Sequence, residues 1–177
     1  DPLDGTTNFI RGIPFFAVSI ALLENDKNLI LGVVYDPILD ECYWAERNEG
    51  AYMNSKKIAV NDKGSFNSSR IILDYNRSKK SRKDYIETLA KIMKNETLSV
   101  TTYGSTALEL CYVSKGSAEA FMSCGDRIYD YAGGLIIAKE AGAEISDWEG
   151  TSWDNSSSYV LATNPKVRDK IIKCLNE

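Results

Sequence analysis

Two aspartates at the start of the chain have the types and the spacing for metal chemistry. In Asp1-Pro2-Leu3-Asp4-Gly5-Thr6-Thr7-Asn8-Phe9 the carboxylates stand three residues apart on a backbone stiffened by Pro2, so both can face one centre. Carboxylate oxygens with a backbone carbonyl between them are hard ligands of the kind Mg²⁺ takes. Gly5 permits a sharp turn, after which the amides of Gly5 and Thr6 can point at an anion. The spacing is not that of an EF-hand, which needs acids at its first, third and fifth positions. An isolated Asp-Pro-x-Asp-Gly is more often an ordinary turn, and that reading stands beside the metal one.

A second constellation is Asp130-Tyr131-Ala132-Gly133-Gly134, at the head of a nearly all-apolar stretch. Asp130 reads either as the N-cap of a helix or as a third carboxylate for the same centre. Consecutive glycines inside a helix cost about 1 kcal/mol each relative to alanine, which calls for the close approach of another backbone. Histidine is absent from the chain. That excludes Ser-His-Asp and Cys-His nucleophiles, histidine zinc sites and histidine phosphotransfer. Hydrolysis would have to run on carboxylates, hydroxyls, backbone amides and oxygen-ligated metal.

The elements that must position these groups are legible from apolar periodicity. Residues 15–23 form an almost unbroken apolar run with the look of a strand buried on both faces. Strands at 29–35 and 41–45 and a hairpin at 51–58 complete an antiparallel meander, with turn chemistry at Asn25-Asp26 and Asp36-Pro37. The polar stretch 61–69 marks a boundary between an N-terminal lobe (1–66) and a C-terminal α/β lobe (67–177). Beyond it strands are expected at 70–75, 98–103, 118–123, 144–148 and 159–163. Helices are expected at 84–93, 105–115, 130–140 and 165–175. Ser81 is the start signal of the first of these, Thr106-x-x-Glu109 a capping box in the second, and Pro165 suits the first turn of the last. The fold class is α/β (α+β), and no internal repeat is visible.

An apolar content of 44% with 26% charged residues is that of a soluble globular protein. The net charge of −4 offers no case for nucleic acid or an anionic membrane surface. No apolar run approaches the ~20 residues that span a bilayer. Cys42, Cys111, Cys124 and Cys174 lack CxxC or dense spacing and read as reduced, mostly buried thiols in a cytoplasmic protein. The basic stretch 76–83 reads as a solvated loop and helix start rather than a grip on a multiply phosphorylated substrate.

The opening motif, followed more than a hundred residues later by Asp130-Tyr131-Ala132-Gly133 and Lys139-Glu140-Ala141-Gly142-Ala143, resembles the inositol monophosphatase family. The nearest likeness is to the archaeal branch that acts on inositol phosphates and fructose 1,6-bisphosphate. Residues 12–20, 107–113 and 127–130 carry that likeness, which covers the whole chain. The resemblance implies a layered α/β/α/β/α sandwich and a phosphomonoesterase that uses two or three Mg²⁺ ions to activate water. It implies that Asp1 bridges ions, that Asp4 and Asp130 ligate a second ion, and that the Leu3 carbonyl completes the first site. Gly5 and Thr6 would hold phosphate through their amides, the Thr6 hydroxyl would orient the attacking water, and Gly104-Ser105-Thr106 would line the substrate ring. A small phosphorylated substrate and a homodimer follow from the resemblance, with neither nucleic acid nor membrane as partner.

Several positions depart from the family pattern. The family's further glutamate ligand lies upstream of the position that Asp1 matches, so upstream sequence is expected. Ser123 stands where inositol-selective members place a sugar-contacting glutamate, and Thr101 where an arginine is common. Tyr129-Asp130 replaces the commoner Trp-Asp. Alternatives are a superfamily phosphatase for phosphoadenosine phosphate, NADP or histidinol phosphate, and a non-catalytic regulatory protein that keeps the fold. Thr7-Asn8-Phe9 argues against the nucleotide branch, which usually carries Lys-Glu-Phe there.

Overall fold

The computed structural model describes residues 1–24, 28–95, 97–154 and 157–176. Two five-stranded sheets face each other across a pair of helices. The first sheet is the expected meander: β1 (Val18–Glu24), β2 (Asn28–Asp36), β3 (Glu41–Glu46), β4 (Gly50–Met53) and β5 (Lys56–Ile58), all antiparallel and in sequence order. The Asn25-Asp26 turn lies outside the described residues.

The second sheet contains β6 (Arg70–Tyr75), β7 (Ser99–Thr101), β8 (Ala120–Cys124), β9 (Glu144–Ser146) and β10 (Tyr159–Thr163), in the order β7-β6-β8-β10-β9. β6 runs parallel to β7 and β8, with Asp74 level with Ser123. β10 runs antiparallel to both its neighbours.

Helices α3 (Thr106–Ser114) and α4 (Ile128–Glu140) lie between the sheets, and α2 (Lys79–Lys94) and α5 (Pro165–Asn176) cover the outer face of the second. A short helix, α1 (Thr6–Ile10), follows the opening motif and has no counterpart in the sequence reading. Its five residues are too few to show a 3.6-residue period. The central layer belongs to both lobes. Ala107, Leu108, Cys111 and Ile137 pack with Val34, Tyr43 and Ala45 of the first sheet. On the other side Leu110, Leu135 and Ala138 pack with Ile72, Phe121 and Val160 of the second.

Four local expectations change. The strand expected to be buried on both faces is one-sided: Val18, Ile20 and Leu22 are 38%, 57% and 54% exposed. That face is the one turned away from α4, and among the described residues no helix covers it; an apolar groove of ≈ 690 Å³ runs along β1 beside Asp1 and Tyr129. The helix expected from 84 begins at Lys79, because the Ser78 hydroxyl, rather than Ser81, caps it by accepting from the Ser81 amide at 3.0 Å. Ser105 rather than Thr106 is the N-cap of α3, and no side chain caps that end. Asp130 is not an N-cap. It is the third residue of α4, where its Oδ2 accepts from the amide of the N-cap Arg127 at 3.0 Å. Cys111, Cys124 and Cys174 are buried and Cys42 half-buried, and none of the four is in a disulfide.

The two central glycines have the neighbours their composition demanded. A Cβ on Gly133 would stand 2.7 Å from Ser19 Oγ and 2.9 Å from the Ile20 carbonyl. A Cβ on Gly134 would stand 2.7 Å from Leu110 Cβ and 3.0 Å from the Ala107 carbonyl. Gly32 of β2 in turn abuts the Gly133 carbonyl. Side chains at these points would push α4 off both its partners. Gly134→Ala is therefore expected to lose about 1–2 kcal/mol in urea unfolding, because overpacking outweighs the better helix propensity of alanine. An unchanged midpoint would show that α3 and α4 do not approach this closely.

Candidate active site

Asp1 to Asp4 lie beside the start of β1 and are fixed by main-chain bonds. The Asp1 nitrogen donates to the Ser19 carbonyl at 2.9 Å, and the Ser19 amide returns a bond to the Asp1 carbonyl at 2.9 Å. Asp4 and Ala17 exchange amide and carbonyl in the same way, both at 2.9 Å. Asp1 Oδ1 accepts from the Leu3 amide at 2.8 Å, which curls the Pro2 corner tightly. Gly5 then turns the chain with φ +83°, and its absent Cβ would stand 2.9 Å from the Phe15 carbonyl. Only glycine meets both conditions.

The amides of Gly5 and Thr6 sit at the amino end of α1, where no side chain caps the helix. The Thr6 hydroxyl donates to the Leu3 carbonyl at 2.8 Å. That carbonyl keeps a second lone pair for another partner. Asn8, buried, bridges the motif to the second lobe: its Nδ2 donates to the carbonyls of Phe15 and Tyr103, each at 2.8 Å.

Asp4 is only 7% exposed, and Oδ2 accepts from the Ser105 hydroxyl at 2.6 Å and the Ala107 amide at 2.8 Å. The amino end of α3 thus holds one edge of the carboxylate. Ser105 and Thr106, expected to line a substrate, instead turn their hydroxyls to acids, Ser105 to Asp4 and Thr106 to Asp74 Oδ2 at 3.2 Å. The backbone at Gly104, with φ +85°, makes the turn between β7 and α3. Ser123 is buried, and its hydroxyl donates to Asp126. Arg77, on the loop after β6, donates to the Thr7 hydroxyl and closes the other side. Arg77, Asp126, Arg127, Tyr129 and Asp130 line an open cavity of ≈ 270 Å³.

Asp74, Glu109 and Asp126 join this centre unforeseen by the sequence reading. An acid at the end of the apolar strand Ile71-Ile72-Leu73 was the available signal for Asp74, since a buried carboxylate needs a reason. Its level partner Ser123 places Asp74 at the carboxyl end of the parallel pair β6–β8, the end at which α/β sheets hold ligands.

Crowding shows in the acidities. Burial raises the Asp4 carboxyl from 3.8 to about 6, with Asp130 and Asp74 adding charge repulsion against its hydrogen bonds. Burial and then the charge of Asp74 raise Asp126 to about 7. Asp130 is also raised, again by burial, with the Arg127 amide opposing.

Among the described residues no three carboxylate or thiol groups form a ready-made coordination sphere. The donor set nevertheless fits a hard cation. Its groups are carboxylate and carbonyl oxygens, and Asp4, Asp126 and Asp130 are weakened as acids by burial and by one another's charge, a penalty that a cation would relieve. Asp1, Asp4, Asp130 and the Leu3 carbonyl are the oxygens that would hold it.

An acid more protonated when folded than when unfolded stabilises the fold at low pH. For Asp4 that contribution is complete below about 4 and is lost as pH rises through about 6. In the presence of a chelator, Asp4→Asn should therefore melt with the wild type at pH 4. At pH 8 it should melt roughly 6–12 °C higher, the shift that about 3 kcal/mol produces in a domain this size. A difference in melting temperature that does not vary with pH would refute the strained-carboxylate account.

Comparison with known proteins identifies a family for the chain. The model of the inositol monophosphatase family matches residues 1–177. The inositol-1-monophosphatase of Mesorhizobium japonicum is 36% identical over 180 residues, covering 100% of this chain and 66% of that protein. The fructose-1,6-bisphosphatase/inositol-1-monophosphatase of Thermotoga maritima is 34% identical, covering 100% of this chain and 66% of its own length. The chain thus spans just under two thirds of these curated relatives. The crystal structure of the extragenic suppressor protein suhB from Bartonella henselae superposes with a TM-score of 0.93 at 36% identity, over 100% of this chain and 67% of that one.

Proposed function

This chain belongs to the inositol monophosphatase family, and on that premise we propose that it hydrolyses the phosphate monoester of a small sugar or inositol with the help of Mg²⁺. The observation that carries the proposal is the clamped Asp4. Its Oδ2 is held by Ser105 and Ala107, while among the described residues its Oδ1 accepts no hydrogen bond.

Asp1, Asp4, Asp130 and the Leu3 carbonyl would hold the ions, two or three in number. Bound Mg²⁺ supplies neutralisation of phosphate oxygens, acidification of water and stabilisation of a leaving alkoxide. The protein's own groups perform the positioning. The amides of Gly5 and Thr6 face the phosphate from the amino end of α1. The Thr6 hydroxyl, seated on the Leu3 carbonyl, stands beside the expected ligands where it can orient water. The main chain at Gly104, Ser105 and Thr106 and the β8 end near Ser123 border the substrate ring. No histidine is needed for any of these roles, in keeping with its absence.

Inositol 1-phosphate and fructose 1,6-bisphosphate are the substrates to try, since the Thermotoga relative is named for both activities. A cytoplasmic homodimer is the proposed setting; among the described residues no helix is long and apolar enough to cross a membrane. The alternative is a regulatory, non-catalytic use of the fold; the Bartonella neighbour is named an extragenic suppressor protein. Clustered acids that repel one another without metal favour catalysis, because a retired site has no physical need of them.

Phosphate release should require Mg²⁺ and should fall by at least about 100-fold in Asp130→Asn, beyond the 10–100-fold that loss of an outer partner costs. Assays on both substrates with and without Mg²⁺ decide this. Folded, metal-bound protein that releases phosphate from neither would move the reading to a nucleotide substrate or to regulation.

A further inference from the structure

Glu109 lies within the acidic centre but belongs to no expected ligand set. It is 0% exposed. Its Oε1 accepts from the amides of Tyr103 at 2.6 Å and Gly104 at 2.9 Å. Those residues lead directly into Ser105 and Ala107, the two donors on Asp4 Oδ2. Glu109 Oε2, by contrast, is buried with no donor. The Asp74 carboxyl is the neighbouring acid, and the two side chains interact directly.

A buried carboxylate oxygen that faces a second carboxylate finds no donor there unless one proton lies between the two groups. The neighbours assign that proton. Asp74 already accepts from the Tyr75 amide at 2.8 Å and from the Thr106 hydroxyl at 3.2 Å, which favours its anion. Glu109 is fully enclosed, and burial followed by the charge of Asp74 raises its carboxyl well above the ordinary range. The orphaned Oε2 is then a donor and not an unsatisfied acceptor.

We propose that Glu109 is a positioning residue that acts as a neutral carboxylic acid. Its Oε1 gathers the amides of the β7–α3 turn, and its Oε2 donates a proton to Asp74. The turn so fixed presents the Ser105 hydroxyl and the Ala107 amide to Asp4, and leaves Asp4 Oδ1 for the cation. The link to metal binding rests on the reading of Asp4 as a ligand; the neutral acid and the turn it holds do not.

Glutamine and leucine variants separate the possibilities. Glutamine can accept with Oε1 and donate with Nε2, so Glu109→Gln should bind Mg²⁺ within about 2-fold of the wild type by calorimetry. Glu109→Leu keeps the volume but removes both bonds, and its Mg²⁺ affinity should fall about 10–100-fold, the usual cost of an outer partner. Hydrogen exchange should find the Tyr103 and Gly104 amides protected in the wild type and the glutamine variant. At a pH well above 7, where Asp4 and Asp126 are ionised, an infrared band of a protonated carboxyl should be present in the wild type and absent from Glu109→Gln. A glutamine variant as weak as the leucine one, or an infrared spectrum unchanged by the glutamine substitution, would overturn the neutral acid. Wild-type affinity in a folded leucine variant would overturn the positioning role. If the leucine variant fails to fold, the glutamine variant and the infrared band still decide. If the wild type binds no Mg²⁺, the functional reading falls, and the infrared and exchange results judge Glu109 by themselves.

Discussion

The hydrogen bonds from Ser105 and Ala107 to Asp4 join residues about a hundred positions apart, and most of what surrounds the site follows from making them. Asp4 belongs to the segment that pairs with the start of the first sheet; its donors belong to the helix that the second sheet supports. For the two to meet, α3 must lie between the sheets with its amino end at their common edge. A carboxylate so buried is tolerated because donors hold it.

That requirement reaches into the packing. α4 must come close enough to β1 and β2 to bring Asp130 to the same edge, and glycine at 32, 133 and 134 removes the side chains that would prevent it. Asn8 ties the carbonyl of Phe15 to that of Tyr103, so the two lobes share polar anchors as well as apolar ones. The central helices read as nearly all apolar for the same reason: each has a sheet on both sides.

Gathering acids carries a cost that the structure makes visible. Asp4, Asp126 and Asp130 all resist ionisation beyond an ordinary aspartate, first through burial and then through one another. Electrostatic strain of this kind is characteristic of sites built to receive charge. The hydroxyls of Ser105, Thr106 and Ser123 are engaged with the acids, which leaves the main chain as what these residues could offer a ligand.

Much of this was legible in the residues. Two acids around a Pro2 corner, a turn at Gly5, a third acid before paired glycines and the absence of histidine pointed to metal-assisted chemistry, with ordinary turns as the rival until the family resemblance was weighed. Among the described residues apolar periodicity located the ten strands and four of the five α-helices, because buried faces impose their period on the sequence. Tertiary structure alone decided the rest. Asp130 looks like an N-cap until Arg127 is seen to hold that place, and Thr106-x-x-Glu109 looks like a capping box until both side chains turn to other partners. The exposed face of β1 reads as core because an apolar run records what a strand can bury, not what lies over it. Asp74, Glu109 and Asp126 had no motif, since nothing in linear spacing tells a solvated acid from one that a parallel strand and a helix bring beside Asp4. Composition and period are properties of neighbours along the chain, whereas acidity is set by neighbours in space.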